Sequence, residues 1–303
     1  MLRFEYIDPD RVIATEDFAF VEAFLRRTGR TEIGWHYITD LAWIYSSVKV
    51  CPRELKVLDA GGGNGPVQYL LAELGFDVTN VDLFHSAPPM QCRRRYDMHF
   101  EALPSYSATD YVSHLASLET RSSLRALLDD NALGRCVGAM LSVPYNLRHE
   151  RWRDAAQLSG PVGKIRWLKG NLCAMPELEM GGFGLVVSLS ALEHIPLDML
   201  PSAVSEIRRV LAPQANWAVT TSGSASPQTW FHEPSKGHCF SKDDLGTYFD
   251  SIGEGDPAAC LEKYRSNEYL RTHLADFYRN SGNNGMPWGA WNPVYVPVGI
   301  WRS

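Results

Sequence analysis

Lys56-Val57-Leu58-Asp59-Ala60-Gly61-Gly62-Gly63-Asn64-Gly65 decides the fold of this chain. Its first five residues form a short apolar run, the glycines supply a turn, and residues 67–74 read as a helix that Gly75 stops. Residues 77–83 alternate weakly and include Asp82, so the whole segment reads strand, glycine loop, helix, strand. Two strands joined through a helix lie parallel, and the unit predicts a doubly wound α/β sheet. Gly61, Gly63 and Gly65 let the main chain approach a ligand with no Cβ atoms in the way, while the helix N-terminus offers free N–H donors. The spacing is not the dinucleotide fingerprint, whose third glycine would fall at Pro66. Nor does a Lys-Ser/Thr pair follow, as a P-loop requires. Asp82, at the end of the second strand, is placed to accept hydrogen bonds from ribose hydroxyls.

Outward from this unit, residues 15–48 carry helical spacing, with Phe18, Val21, Phe24 and Leu25 before Gly29 and with Ile38, Leu41, Ala42 and Tyr45 after it. Residues 1–50 are therefore expected to form a helical N-terminal cap. Regular alternation stops between residues 84 and 163, a stretch too long and too apolar for one loop, which is read as an insertion after the second strand. It resumes with candidate strands at 164–168, 184–190 and 217–221. Leu200, Val204, Ile207 and Leu211 mark one face of a helix, with Pro213 as its stop. Ser241 is the expected cap of a short helix through Phe249. The Gly-, Pro- and Trp-rich tail is expected to close with an edge strand or hairpin near 294–300.

The 303 residues are 45% hydrophobic and 21% charged, enough core-forming material for a globular protein. A formal charge of -6 disfavours nucleic acid and anionic membranes as partners. The N-terminal residues have acidic groups and Pro9 where a signal peptide needs a basic start, and the apolar run 183–192 falls short of the ~20 residues of a spanning helix. Six scattered cysteines with no Cys-x-x-Cys pair read as reduced thiols. A cytoplasmic location is expected, with no metal.

Four ordered motifs carry a family resemblance. Val57-Leu58-Asp59-x-Gly61-x-Gly63-x-Gly65 resembles the first motif of class I S-adenosylmethionine-dependent methyltransferases, and Asp82 matches the acid of their second strand. Lys169-Gly170-Asn171-Leu172 lies where the family has Gly-Asp and the residue whose backbone meets adenine, with Asn171 in place of Asp. The run from Phe183 through Ser190, Glu193 and His194 to Pro196 is similar to the fourth strand and its turn, with Gly184 where Asp is common. Glu206 to Pro213 matches the next helix. The resemblance implies a Rossmann-like seven-stranded doubly wound sheet in the order 3-2-1-4-5-7-6. It makes residues 51–303 the methyltransferase domain, with the insertion 84–163 and a substrate-specific segment 224–303. It also implies S-adenosylmethionine as cofactor and S-adenosylhomocysteine as product.

By the same resemblance, Asp59 with Gly61, Gly63 and Gly65 would hold the methionine end, Asp82 the ribose and Asn171 the adenine amine, with Leu83, Leu172 and Ser190 also among the cofactor-binding residues. Methyl transfer is an in-line displacement, so orientation supplies much of the rate and a base helps. His194, after the fourth strand, is the candidate base. His232 and His238 bracket Glu233-Pro234-Ser235-Lys236-Gly237, which is not the His-Glu-x-x-His zinc pattern, and substrate contact or loop packing suits them better. Trp35-His36-Tyr37 is a candidate cover for the cofactor; Arg93-Arg94-Arg95 with Arg148, Arg151 and Arg153 is a candidate anion grip; Trp288, Trp291, Tyr295 and Trp301 are candidate pocket linings. The expected activity is methyl transfer to a small-molecule or glycan-type acceptor at oxygen, with a homodimer as the candidate assembly. The alternative is a cofactor-binding protein without methyl transfer, a sensor or non-methylating catalyst; a nicotinamide enzyme is disfavoured by the glycine spacing.

Overall fold

A computed structural model describes residues 1–28, 37–63, 65–83, 95–106, 163–233, 235–273 and 295–302. Its βαβ unit is strand β2 (Lys56–Ala60), helix α4 (Val67–Glu73) and strand β3 (Asp77–Asp82), with β2 and β3 parallel. Val57, Leu58 and Ala60 are all buried, the continuous apolar run of a strand covered on both faces. Strand β6 (Phe183–Leu189) lies parallel on the other side of β2, and helix α5 (Leu200–Val210) leads from it to β7 (Leu211–Ser224). The crossovers run in opposite directions from the centre, so the right-handed rule sets α4 and α5 on opposite faces. Leu200, Ala203, Val204, Ile207 and Val210 are the buried stripe of α5. The chain turns extended at Leu211, two residues before Pro213.

With β5 (Lys164–Lys169) beside β3 and the antiparallel β11 (Tyr295–Arg302) beside β7, the expected sequence of six neighbours, 3-2-1-4-5-7, is present. Three differences correct the rest. Strand β4 (Asp97–Ala102), inside the expected insertion, adds an outer strand parallel to β5. The N-terminus forms β1 (Leu2–Tyr6), which pairs antiparallel with β11 and parallel with β10 (Ser251–Glu254). The described sheet therefore has nine strands rather than seven, in the order β10-β1-β11-β7-β6-β2-β3-β5-β4. A strand rather than a helical start follows from the period-2 pattern Leu2-Arg3-Phe4-Glu5-Tyr6, which buries Leu2, Phe4 and Tyr6. Finally, β11 is no edge strand: Tyr295, Val296, Val298 and Ile300 are buried because both its sides are paired.

The remaining N-terminal residues follow the helical expectation. Helix α1 (Pro9–Ile13) precedes α2 (Glu16–Arg27), whose cap Thr15 accepts a hydrogen bond from the Phe18 N–H at 3.2 Å, and α3 (Tyr37–Val48) packs against β6, β7 and β11. A hairpin of β8 (Trp230–His232) and β9 (Gly237–Cys239) follows β7, then α6 (Lys242–Phe249), capped by Ser241 as expected. Helices α7 (Pro257–Ser266) and α8 (Glu268–His273) complete the described elements. The helix-like runs at 111–118 and 122–128 lie outside the described residues. Among those described, no helix is long and apolar enough to cross a membrane.

Candidate active site

The glycine loop leaves the carboxyl end of β2 with Gly61 at φ +74° and Gly63 at φ +48°, the left-handed region that favours glycine. A Cβ on Gly61 would stand 2.7 Å from the Cβ of Ala191, so the loop and the turn after β6 meet closely there. Asp82, at the carboxyl end of β3, accepts a 2.9 Å hydrogen bond from the Gly63 N–H. Behind the loop lie two side chains that the sequence reading did not single out. The Asn80 amide donates to Asp59 Oδ2 at 2.9 Å and to Gln68 Oε1 at 2.8 Å; the Gln68 amide donates to the carbonyls of Gly65 (3.0 Å) and Gly63 (3.2 Å). Polar residues on inward positions of β3 and α4 were the available signal.

Asp59 is fully buried, and its Oδ1 has no hydrogen-bond partner among the described residues. Burial, with the Asp82 carboxylate nearby, pushes its carboxyl pKa up to about 8 against the opposing hydrogen bond from Asn80. A buried carboxyl with an open oxygen beside a glycine turn suits an amino or ammonium group. Asn171 makes an Asx turn, its Oδ1 accepting from the Cys173 N–H at 2.9 Å; an amide oxygen has a second lone pair for another donor. Leu172 is buried near Gly61, and the Leu83 carbonyl accepts from the Tyr106 hydroxyl at 3.4 Å.

Across the sheet, Ser190 sits at the end of β6 with φ +45°, a strained value for a residue with a side chain. Its hydroxyl donates to Asp40 Oδ2 of α3 at 2.8 Å, and its N–H to the Thr220 carbonyl at 3.2 Å, so both bonds hold that conformation. The next residues form a short 3-10 turn (Leu192–His194). Glu193 is buried and accepts from Ser222 Oγ at 3.0 Å and Thr221 Oγ1 at 3.2 Å. Tyr37 and Tyr295 lie close enough to Asp40 and Glu193 for both carboxylates, after burial itself, to raise their hydroxyl pKa values. None of Asp40, Glu193 and Ser222 stood among the expected site residues.

His194 Nδ1–H donates to the Lys236 carbonyl at 2.9 Å, and His238 Nδ1–H to the Glu193 carbonyl at 3.1 Å. His232 is tied instead to Ser235, at 2.6 Å. Among the described residues no group of three or more His, Cys, Asp or Glu side chains is arranged to hold a metal ion. The expected arginine grip is not assembled from Arg95, whose guanidinium is paired with Glu73, which also accepts from Tyr96; the other five arginines, Trp35, His36, Trp288 and Trp291 lie outside the described residues. A groove of about 670 Å³ at the β1–β10 edge, lined by Arg3, Tyr6, Cys260 and Lys263, is remote from the glycine loop.

A glycine loop on β2, an acid on β3 and a turn after β6, all at carboxyl ends of parallel strands, define a doubly wound α/β protein with its candidate site at the topological switch. A methyltransferase-domain family model matches residues 38–253, most of the chain, and the chain belongs to that family: it is an S-adenosylmethionine-dependent methyltransferase. No curated protein matches it significantly. Its fold is similar to that of 1,6-didemethyltoxoflavin-N1-methyltransferase from Burkholderia thailandensis, at 14% identity and TM-score 0.43, over 99% of this chain and 94% of that one. Similar too are geranyl diphosphate C-methyltransferase from Streptomyces coelicolor (12%, TM-score 0.38, 86% and 73%) and the [4+2]-cyclase SpnF (10%, TM-score 0.44, 89% and 83%).

Proposed function

We propose that this enzyme methylates a small-molecule or glycan-type acceptor at oxygen, with His194 as the base that takes the acceptor's proton. The observation that carries the reading is the His194 tautomer: its Nδ1–H is committed to the Lys236 carbonyl, so the neutral ring presents a lone pair at Nε2. Supporting the reading, the turn that holds it begins at Ala191, which lies against Gly61 of the glycine loop. Asp59 Oδ1 would accept from the cofactor's amino group, Asp82 from the ribose hydroxyls, and Asn171 from the adenine amine, with Leu83 and Leu172 beside the rings. Gly61, Gly63 and Gly65 would bring main chain close to the cofactor, and Ser190 would fix the turn. When bound, the cofactor supplies an electrophilic methyl group on a sulfonium.

On this reading residues 1–50 and 224–303 complete the acceptor side of the domain, the N-terminal part through α3 as well as β1. A cytoplasmic enzyme acting without nucleic acid or membrane fits the charge of -6. The deciding experiment is calorimetric titration with S-adenosylhomocysteine, NADH as control, followed by a screen of hydroxylated acceptors with labelled methyl donor. Micromolar binding of the first ligand alone and label on oxygen are the expected results; label on nitrogen or carbon would overturn the oxygen assignment, and turnover retained in His194→Ala would remove the base.

A further inference from the structure

The turn after β6 and the β8–β9 hairpin hold each other through their two histidines. His194, on the turn, donates from Nδ1 to the carbonyl of Lys236 on the hairpin, and His238, on the hairpin, donates from Nδ1 to the carbonyl of Glu193 on the turn. Gly237 fits between them: a Cβ there would meet the His194 ring and the Glu193 side chain at 3.2 Å. The bracket fixes both imidazoles in the same tautomer, with the proton on Nδ1 and a lone pair on Nε2. Neither Nε2 has a hydrogen-bond partner among the described residues, and neither is a fully buried atom. Both rings are part-buried rather than lost in the core.

The neighbouring charges are otherwise engaged. The Glu193 carboxylate is turned to Thr221 and Ser222, Lys236 is paired with Glu233 at 2.5 Å, and His232 is bonded to Ser235. Burial lowers the His238 pKa against the raising effect of its bond to the Glu193 carbonyl, and the neighbouring His194 lowers it further. As a general rule, neighbouring imidazoles disfavour a second positive charge, since it would meet the charge of the first.

We propose that His194 and His238 form a paired proton acceptor on the acceptor side of the site, a single-proton sink made of two rings. The proposal rests on the methyltransferase reading above and deepens it by adding His238. The proton leaves the acceptor atom for one Nε2 lone pair as that atom bonds to the transferred carbon and the carbon–sulfur electron pair stays with sulfur, so charge passes from sulfonium to imidazolium. The turn that carries His194 meets the glycine loop through Ala191, which lies against Gly61 and whose carbonyl accepts from the His194 N–H at 3.1 Å.

The test needs no knowledge of the acceptor. S-adenosylmethionine carries a positive sulfur and S-adenosylhomocysteine a neutral one, so the two complexes differ by one charge at the methyl position. NMR titration of histidine-labelled protein follows the His238 Cε1–H signal in both. The expected result is a His238 midpoint lower by a few tenths of a unit, ~0.3–0.5, with S-adenosylmethionine, the order that one nearby, partly screened unit charge produces. Equal midpoints, with both ligands shown by calorimetry to be bound, would overturn the pair while leaving the cofactor site standing; absence of binding would take down the cofactor assignment itself. His194→Asn, which keeps a donor for the Lys236 carbonyl, is expected to move the His238 midpoint up toward the ordinary histidine value. An unmoved midpoint in the folded variant would overturn the coupling, and the wild-type comparison stands even if that variant does not fold.

Discussion

The half of the candidate site proposed for the cofactor draws Asp59, Gly63, Gln68, Asn80 and Asp82 from one βαβ unit, whereas the opposite half gathers Asp40, Ser190, Glu193, Ser222 and His238 from segments scattered along the chain. The first is a backbone loop braced by neutral amides, which satisfy its carbonyls and hold Asp59. The second is ionic and aromatic, with two buried carboxylates held by hydroxyls and two imidazoles held by carbonyls. Local closure costs little chain entropy, so a loop that only has to be shaped can be built within one unit. A polar cluster in the interior needs every partner delivered, and the sheet order brings α3, β6, β7 and β11 together to do that.

Substitutions in the two halves should therefore separate cofactor affinity from stability. Asp82→Ala removes both the ribose acceptor and the tie to Gly63; the expected loss is about 2–4 kcal/mol of S-adenosylhomocysteine binding, roughly 30-fold to 1,000-fold, read by calorimetry. Unchanged affinity would sink the ribose assignment. Asn80→Ala strips Asp59 and Gln68 of a shared partner in the core, and about 1–3 kcal/mol of unfolding free energy should go in denaturant melts, with weaker cofactor binding alongside. Full stability in that variant would mean that water replaces the amide.

On the other half, Ser190→Ala takes away the donor that meets Asp40, for an expected cost of about 1–2 kcal/mol and no more than a twofold change in cofactor affinity. A large affinity loss without a stability loss would show that the two halves are not separable in this way. A further effect concerns pH. Because burial raises the folded-state pKa of Asp59 to about 8, the native state keeps a proton that the unfolded chain has lost above about 4, so this group makes stability fall as pH rises between those values. Asp59→Asn should flatten that part of the curve of melting temperature against pH; an unaltered slope would show that Asp59 is ionised in the folded protein.

Much of the glycine loop's shape could be read directly because its signals are local. Three glycines, an acid at a strand end and a helix start within one unit leave few other conformations, and two of the glycines do take positive φ. The bracing amides escaped notice because Gln68 and Asn80 look like ordinary polar residues until their burial is known. The role of Asp40 was hidden more deeply, inside a run whose helical spacing identified only its apolar face. His194 and His238 were both visible as histidines; that His194 reaches the Lys236 carbonyl and His238 the Glu193 carbonyl was not.

What the sequence by itself determined is the βαβ core, the parallel sheet around it and the carboxyl-end position of the glycine loop, since period, glycine placement and crossover handedness act over short stretches of chain. Only the tertiary structure decided that the N-terminal strand enters the sheet between β10 and β11, that Ser190 meets Asp40, and that two histidines bracket one turn. Those outcomes depend on pairings between distant residues, and no local preference encodes which exposed edge or buried carboxylate a distant segment will meet.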